Sequence, residues 1–418
     1  MLKLNSISND MFVVKNATDA KFRSCGRAIS RNDIISVGRL VACEHMGNMI
    51  NATKRDGEEK YNSRLKSSQL DYATLAKDFA DARFIFCATV AYKARGIDAP
   101  ASLEEAKRDM SLARDQNFLN ALAAIDREVL EPLLFDVFDD ASGRMLQWET
   151  VAPGATKEIS IQSNDAFLFE DSSWGSGHST TKNYLYAQTV TLTPKVKECN
   201  ATIKWYQNIV NGDPGWYYGA LMRGMWNKIY AMFVGGLMKA ADNTKYMPQG
   251  LKASTYTTEN FLQISQNVAA ANGLTRRDLV AYGTAIALNN VIPQDTQGAI
   301  LGMSYGLGEQ WFYNGYLPRA GAVDLVEVLP AIVPGTQNST LKQIFPNDVI
   351  FIAARGGIGY SPMYGVRMEG SPVTITATPS GGNGMAQGTA DFTIDINVGA
   401  MFDIAPIFAT KVGMIELS

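Results

Sequence analysis

The sequence predicts an α+β chain, and three observations predict it. Alternating polar and apolar residues over Lys157–Gln162 and again over 184–193 read as paired strands, and they lead into a long helix rich in Met, aromatics and Gly from Pro214 to about Ala241. Ahead of them, residues 68–131 carry apolar side chains at helical spacing. Behind them, short alternating or continuous apolar runs bounded by Gly and Pro extend to the C-terminus.

Composition sets the frame. A chain of 418 residues that is 46% apolar can bury a sizeable core and hold more than one domain. A net charge of -3 and a pI near 5.6 argue against a protein whose main affinity comes from neutralising phosphates, while leaving room for a local basic face. The cysteines Cys25, Cys43, Cys87 and Cys199 lie far apart without a CxxC pair, so reduced, buried thiols are expected rather than a zinc module or a disulfide framework. The first ten residues lack the uninterrupted apolar core of a signal peptide, and assembly in a cytosol is expected. The Asn-x-Ser/Thr triplets at Asn16, Asn51, Asn200 and Asn338 are then chance matches.

The elements follow in order. Residues 1–65 mix short apolar groups with a charged run at 54–61 and read as an extended or partly helical arm. A helix over 68–95 places Leu70, Ala73, Leu75, Phe79, Ala82, Ile85, Phe86 and Val90 on its apolar face and stops at Gly96. The capping-box pattern Ser102, Leu103, Glu104, Glu105 opens a second helix, which keeps its period through Phe118, Leu122, Ile125 and Val129 until Pro132. The ribbon comes next, its second arm carrying on through Val196 and Ile203 to Trp205. The connection between its arms is far too long for a tight turn, and the ribbon has too little apolar surface for a core of its own. It is therefore expected to lie on something else, such as another copy of the chain.

Asp213 followed by Pro214 is the best helix start in the sequence, an N-cap with proline at the first helical position. In the helix it opens, Trp216, Met222, Met225, Trp226, Ile229, Phe233, Leu237 and Met238 fall on overlapping faces, which predicts burial on more than one side. Gly219, Gly224, Gly235 and Gly236 predict close approach of other backbones. Arg223, Asn227 and Lys228 make it unsuited to a membrane. Beyond residue 257, segments 261–268 and 275–290 read as helices, the second opened by Thr275 and Asp278. Strands are expected over 323–329, 348–354, 373–378 and 391–398, the last two joined by the glycine-rich 380–384, with strand character again over 402–415.

Catalytic chemistry is scarce. Of the two histidines, His45 has only Cys43 beside it, and His178 shares one loop with Asp171 and Ser176 but has no GxSxG elbow and no rigid support. The glycine clusters at 306–308 and 356–359 match no phosphate-binding loop, and the carboxylate pairs Asp139 and Asp140, and Glu58 and Glu59, lie in polar segments. Arg276 and Arg277 fit a helix's first exposed turn better than a nucleic-acid patch. No enzyme activity, metal or cofactor is expected. What remains is a chain with ample apolar surface, long projecting segments and exposed-looking aromatics, Trp174 and Trp311 among them, as in an assembly subunit.

The order of elements, carried by the ribbon at 157–193, the helix opening at Asp213 and Pro214, and the runs 325–330 and 345–356, resembles the HK97-fold major capsid proteins of tailed bacteriophages over residues 148–418. The resemblance implies an N-terminal arm and helical region at 1–147, an extended β-ribbon or E-loop at 148–205, a peripheral domain with the spine helix at 206–256, an axial domain at 257–370, and C-terminal strands at 371–418 returning to the peripheral domain. It implies a virion shell subunit that assembles in the host cytoplasm into hexamers and pentamers around double-stranded DNA. Portal, scaffolding and decoration proteins would be its partners, with no membrane involved.

Residues 66–140 are more helical and apolar than a simple arm of that family, so an enlarged N-terminal region is expected. The start has no charged coiled-coil segment of a fused scaffold, which implies a separate scaffolding protein or none. Phe167, Phe169 and Trp174 are the expected ribbon anchors on a neighbour, and Lys182 and Trp311 further contact candidates. Some relatives cross-link an E-loop lysine to an asparagine; Lys182 with Asn383 or Asn397 occupies the matching segments, although ordinary solvated roles fit these residues better. An encapsulin-like compartment is the alternative reading and a soluble enzyme a more distant one.

Overall fold

The computed structural model describes residues 72–98, 103–141, 146–162, 187–244, 247–291, 314–328, 339–355, 363–369, 373–380, 392–406 and 411–417, together with short pieces between 3 and 42, residues 100 and 169, and parts of 331–336. In chain order the elements are β1 (Lys3–Ser8), β2 (Met11–Val13), β3 (Ala28–Ser30), α1 (Tyr72–Arg95), α2 (Leu103–Arg108), α3 (Gln116–Ala141), β4 (Leu146–Val151), β5 (Lys157–Gln162), β6 (Ala187–Leu192), β7 (Lys195–Lys204) and α4 (Pro214–Ala241). There follow β8 (Lys252–Ala253), α5 (Thr258–Ala271), β9 (Leu279–Gly283), α6 (Ala285–Asn289), β10 (Arg319–Ala320), β11 (Val323–Glu327), β12 (Val349–Ala354), β13 (Met363–Met368), β14 (Val373–Pro379), β15 (Thr393–Pro406) and β16 (Gly413–Glu416). The chain is thus α+β, and it forms two compact units. One comprises Met1–Phe138, Lys195–Trp226 and Gly370–Met401; the other comprises Asp139–Pro194, Asn227–Glu369 and Phe402–Ser418.

The first unit is built on α1 and α3. Their period-3.6 apolar faces bury Phe79, Phe84 and Ile85 on α1 and Phe118, Leu122, Ile125 and Val129 on α3. Phe84, Phe118 and the wholly buried Trp205 form an aromatic cluster with centroids 5.1–6.0 Å apart. α1 ends as its sequence predicts. Gly96 adopts φ +67°, its N–H bonds to the Lys93 carbonyl, and the Ile97 N–H bonds to that of Tyr92, which satisfies two carbonyls of the last turn.

The second predicted helix differs from expectation at both ends. Asp109 and Asp115 each accept a backbone N–H two residues on, from Ser111 at 2.9 Å and Asn117 at 2.7 Å, so the run breaks into α2, a 3-10 turn at Met110–Arg114 and α3. It then continues through Pro132 to Ala141 instead of stopping there. Proline removes the N–H that would bond the Glu128 carbonyl. Arg39 supplies the missing donors, its Nε and Nη2 lying 3.3 and 2.9 Å from that oxygen. The segment carrying Arg39 buries Ile34, Ile35, Val37, Val41 and Ala42, and Arg31 pairs with the Glu128 carboxylate. A long-range contact thus mends a local break.

The second unit holds a six-stranded sheet in the order β10-β11-β9-β12-β16-β8. β9 and β12 are buried along their whole lengths, and β9 pairs parallel to β11 and antiparallel to β12. Residues 279–283 are therefore strand, where the sequence reading has helix. The predicted Thr275 and Asp278 pair does cap a turn, a single 3-10 turn at Arg276–Asp278, with the Asp278 carboxylate accepting from the Thr275 N–H and hydroxyl at 3.1 and 2.6 Å. α5 is N-capped by Thr257, whose hydroxyl accepts from the Asn260 N–H at 3.0 Å, and it packs on β12 and β16.

β4 pairs parallel to β13, with the Trp148 ring over Gly365, where any Cβ would lie 2.6 Å from the indole. β15 pairs with β14 through residues up to Ala400 and with β13 from Phe402 onward. The ribbon proper is β5 against β6, in register from Lys157 opposite Leu192 to Gln162 opposite Ala187. Its flanks at 146–151 and 195–204, read from sequence as continuous with it, pair elsewhere, with β13 and β15.

Candidate inter-subunit surfaces

Strand alternation gives the ribbon two unlike faces. Ile159, Val190 and Leu192 share one of them and pack against Val151, Tyr364, Val366 and Ala405, and Lys157 adds an ion pair to Glu149 at 2.9 Å. The base of the ribbon is thus held on its own unit's sheet, which is the surface it lies on there in place of another copy of the chain. The other face turns Glu158, Ser160, Thr189 and Thr191 to solvent. Beyond the base, Phe169 is 91% exposed, an extreme for a large aromatic. The other candidates Phe167, Trp174, Lys182 and Trp311 lie outside the described residues, as do His45, Asp171, Ser176, His178 and Asn383. Asn397 is half-buried on β15.

α4 begins as predicted, with the Asp213 carboxylate accepting the Gly215 N–H at 2.8 Å. Met222, Met225, Trp226, Ile229, Phe233 and Leu237 are buried, while Trp216, expected among them, is 62% exposed. It heads a solvent stripe with Ala220, Arg223, Gly224, Lys228 and Ala231. Arg223 and Lys228, seven and twelve residues on from Trp216, were the signal in the sequence that places it on the outer stripe. Gly224 and Gly235 face open space and at Gly236 a Cβ would meet the Met363 side chain, so at these three glycines no other backbone approaches among the described residues. Cys87 is buried and its thiol pKa is pushed up by burial, whereas Cys199 on β7 is exposed, contrary to expectation.

The most concentrated polar chemistry among the described residues lies inside the first unit. Arg83 on α1, Asp126 on α3 and Tyr218 on α4 are at most 4% exposed. Arg83 Nε is 3.3 Å from Asp126 Oδ1, Arg83 Nη1 donates to the Tyr218 hydroxyl at 3.2 Å, and that hydroxyl donates to Asp126 Oδ1 at 2.6 Å. Burial pushes the Asp126 carboxyl above the ordinary carboxylate range, opposed by the Arg83 charge and the Tyr218 hydrogen bond. Sequence reasoning missed this site because its members are spread over 136 residues of chain, from Arg83 to Tyr218. Enclosed between α1, α3 and α4, it joins these helices. Among the described residues no cluster of His, Cys, Asp and Glu is arranged to hold a metal ion, and no helix is long and apolar enough to cross a membrane.

No protein-family model matches the chain, and no curated protein matches it. Its fold is similar to solved bacteriophage capsid structures. The capsid of the cyanophage P-SCSP1u overlays with a TM-score of 0.40 at 11% identity, covering 66% of this chain and 86% of that one. The mature capsid of bacteriophage PhiM1 overlays at 0.41 and 10% identity, covering 66% and 86%. The capsid of a native GTA particle overlays at 0.41 and 11% identity, covering 66% and 90%. These are partial overlays, and the functional reading rests on the chain's own elements.

Proposed function

We propose that this chain is an HK97-fold major capsid protein of a tailed bacteriophage, a structural subunit that self-assembles into hexamers and pentamers of an icosahedral shell enclosing double-stranded DNA. The observation that carries the reading is the ribbon. Its base is secured to its own sheet through Ile159 and Leu192, its other face is polar and exposed, and the chain beyond the base presents Phe169 almost fully to solvent. A two-stranded ribbon so arranged is supported at its base, and Phe169 is an exposed aromatic side chain open to contact. The long α4 then follows β7 and the π-turn at Trp205–Val210, which is the order of E-loop and spine helix.

In this reading 148–205 acts as the E-loop, 206–256 with 371–418 as the peripheral domain and 257–370 as the axial domain, with 1–147 as an enlarged N-terminal region. Phe167, Phe169 and Trp174 seat the ribbon on a neighbour, and Lys182 and Trp311 lie at contacts. Portal, scaffolding and decoration proteins complete the particle, which assembles in the host cytoplasm. Many modest interfaces repeated by symmetry supply the stability of a closed container. Negative-stain microscopy of the expressed chain, alone and with its scaffold, tests this. Closed shells are expected, with nucleic acid in those recovered from infected cells. A chain that stays monomeric at high concentration with its scaffold present ends the proposal, and shells that enclose protein cargo instead of nucleic acid replace it with a compartment.

A further inference from the structure

The segment 31–42, helical at every described position, is laid against both long helices of the first unit. It buries Ile34, Ile35, Val37, Val41 and Ala42. Its packing leaves no room for a side chain at Gly38, where a Cβ would lie 2.7 Å from the Phe79 ring of α1 and 2.8 Å from a methyl of Val129 on α3. The two arginines of this strap converge on one residue of α3. Arg31 pairs with the Glu128 carboxylate, and Arg39 donates from Nε and Nη2 to the Glu128 carbonyl at 3.3 and 2.9 Å.

Glu128 is not an arbitrary anchor. It stands four residues before Pro132, so its carbonyl has lost its helical donor and is crowded by the proline ring. A helix left to itself relieves both faults by kinking or ending there, which opens the carbonyl to water. The docked strap removes that advantage by giving the same oxygen two charged donors, and α3 runs on to Ala141. The docking itself is finely balanced. Burial of a few apolar side chains gains free energy of the same order as the ordering of the strap's backbone costs, so such a segment opens locally well before the whole unit unfolds.

We propose that residues 31–42 are a releasable strap that switches α3 between two forms, a continuous helix when the strap is docked and a helix kinked at Glu128–Pro132 when it is released. The Arg39 bonds couple the two equilibria, because they exist only with the strap in place. Coupling of this kind is reciprocal: whatever straightens α3 holds the strap more firmly, and whatever lifts the strap frees the last turns of α3, which precede β4 in the chain. A molecule that engages the N-terminal segment can thereby act on the end of α3 without touching it. The switch is a property of the single chain and does not depend on whether that chain builds a shell.

The test is amide hydrogen exchange on the full-length chain, read on peptides from the strap at 34–39 and from the end of α3 at 133–141. Two variants lift the strap by different means. Gly38→Val overlaps Phe79 and Val129 and leaves Arg39, Glu128 and Pro132 in place, whereas Arg39→Ala removes the coupling bonds. Each should speed exchange at 133–141 by at least about tenfold. Adding Pro132→Ala, which restores the helix's own N–H, should remove most of that increase while the strap of the Gly38→Val chain stays open. Pro132→Ala alone should slow exchange at 34–39, because the straight helix favours the docked strap. An increase at 133–141 of the same size with and without Pro132 would mean that the strap only covers α3, and wild-type protection there with the strap open would mean that it has no hold on the helix; either result overturns the switch. If Gly38→Val does not fold, Arg39→Ala with and without Pro132→Ala decides the same question.

Discussion

The two units handle charge in opposite ways. The helical unit encloses Arg83 and Asp126 between α1 and α3 and ties both to Tyr218 of α4. The sheet unit buries only uncharged residues along β9 and β12, with Asp348 just before β12, Arg355 just after it and Glu416 closing β16. Apolar helices can slide or rotate past one another at little energetic penalty, so a buried ion pair between them selects one register, whereas strands already have their register set by backbone hydrogen bonds. The sheet needs no such device, and β9 and β12 carry no charged residue.

The largest effect expected from breaking this contrast is Asp126→Ala. It strands the Arg83 guanidinium in an apolar interior and should lower stability by about 3–5 kcal/mol, whereas the paired change Arg83→Met with Asp126→Leu, which leaves only the Tyr218 hydroxyl without these partners, should cost about 1–3 kcal/mol. Hydrogen exchange on peptides from α1 and α3 reads the register: it should be faster than in wild type in the double variant too, and wild-type protection there would show that the pair has no register role. Next in size, Ile352→Ala in the fully buried β12 should cost about 2–5 kcal/mol by cavity formation. Its effect should be the same at low and high salt, so a salt-dependent loss in chemical denaturation would contradict an apolar origin.

Arg39→Ala sharpens the comparison within the helical unit. It leaves the Glu128 carbonyl without donors beside Pro132 and should cost about 1–3 kcal/mol. Adding Pro132→Ala restores the helix's own N–H and should recover most of that loss in a urea melt; no recovery would mean that Arg39 acts through some other contact. The smallest effect is a pH slope. Burial raises the folded-state pKa of Asp126 above the ordinary carboxylate value of about 3.9, so as pH rises from there the unfolded chain gives up its proton first and unfolding gains. The contribution of Asp126 is therefore fully present below the ordinary value and lost as pH rises through the raised one. Wild type should lose melting temperature over that window relative to Asp126→Asn, and parallel pH profiles would refute the assignment.

Much of the local structure was legible in the residues. The stop at Gly96 and the cap at Asp213 and Pro214 depend on neighbours a few positions away and are present as read, whereas the Thr275 and Asp278 cap is present on a 3-10 turn instead of the expected helix. Of the candidate contact residues, Phe169 is described and exposed. Sequence reasoning did not find the Arg83, Asp126 and Tyr218 network or the hold of Arg39 on Glu128, because each joins residues from distant elements.

What the sequence determined by itself was the class of most described segments, since helical and strand periods and capping chemistry are short-range. The tertiary structure decided partners. It carried α3 past Pro132 because Arg39 supplied a donor, and it made 279–283 a strand because β11 and β12 offered backbone bonds on both sides. It also drew β4 and β7 away from the ribbon into pairings with β13 and β15. A period of two states that a strand exists, and only the bonds offered by chain far away state which strand lies beside it.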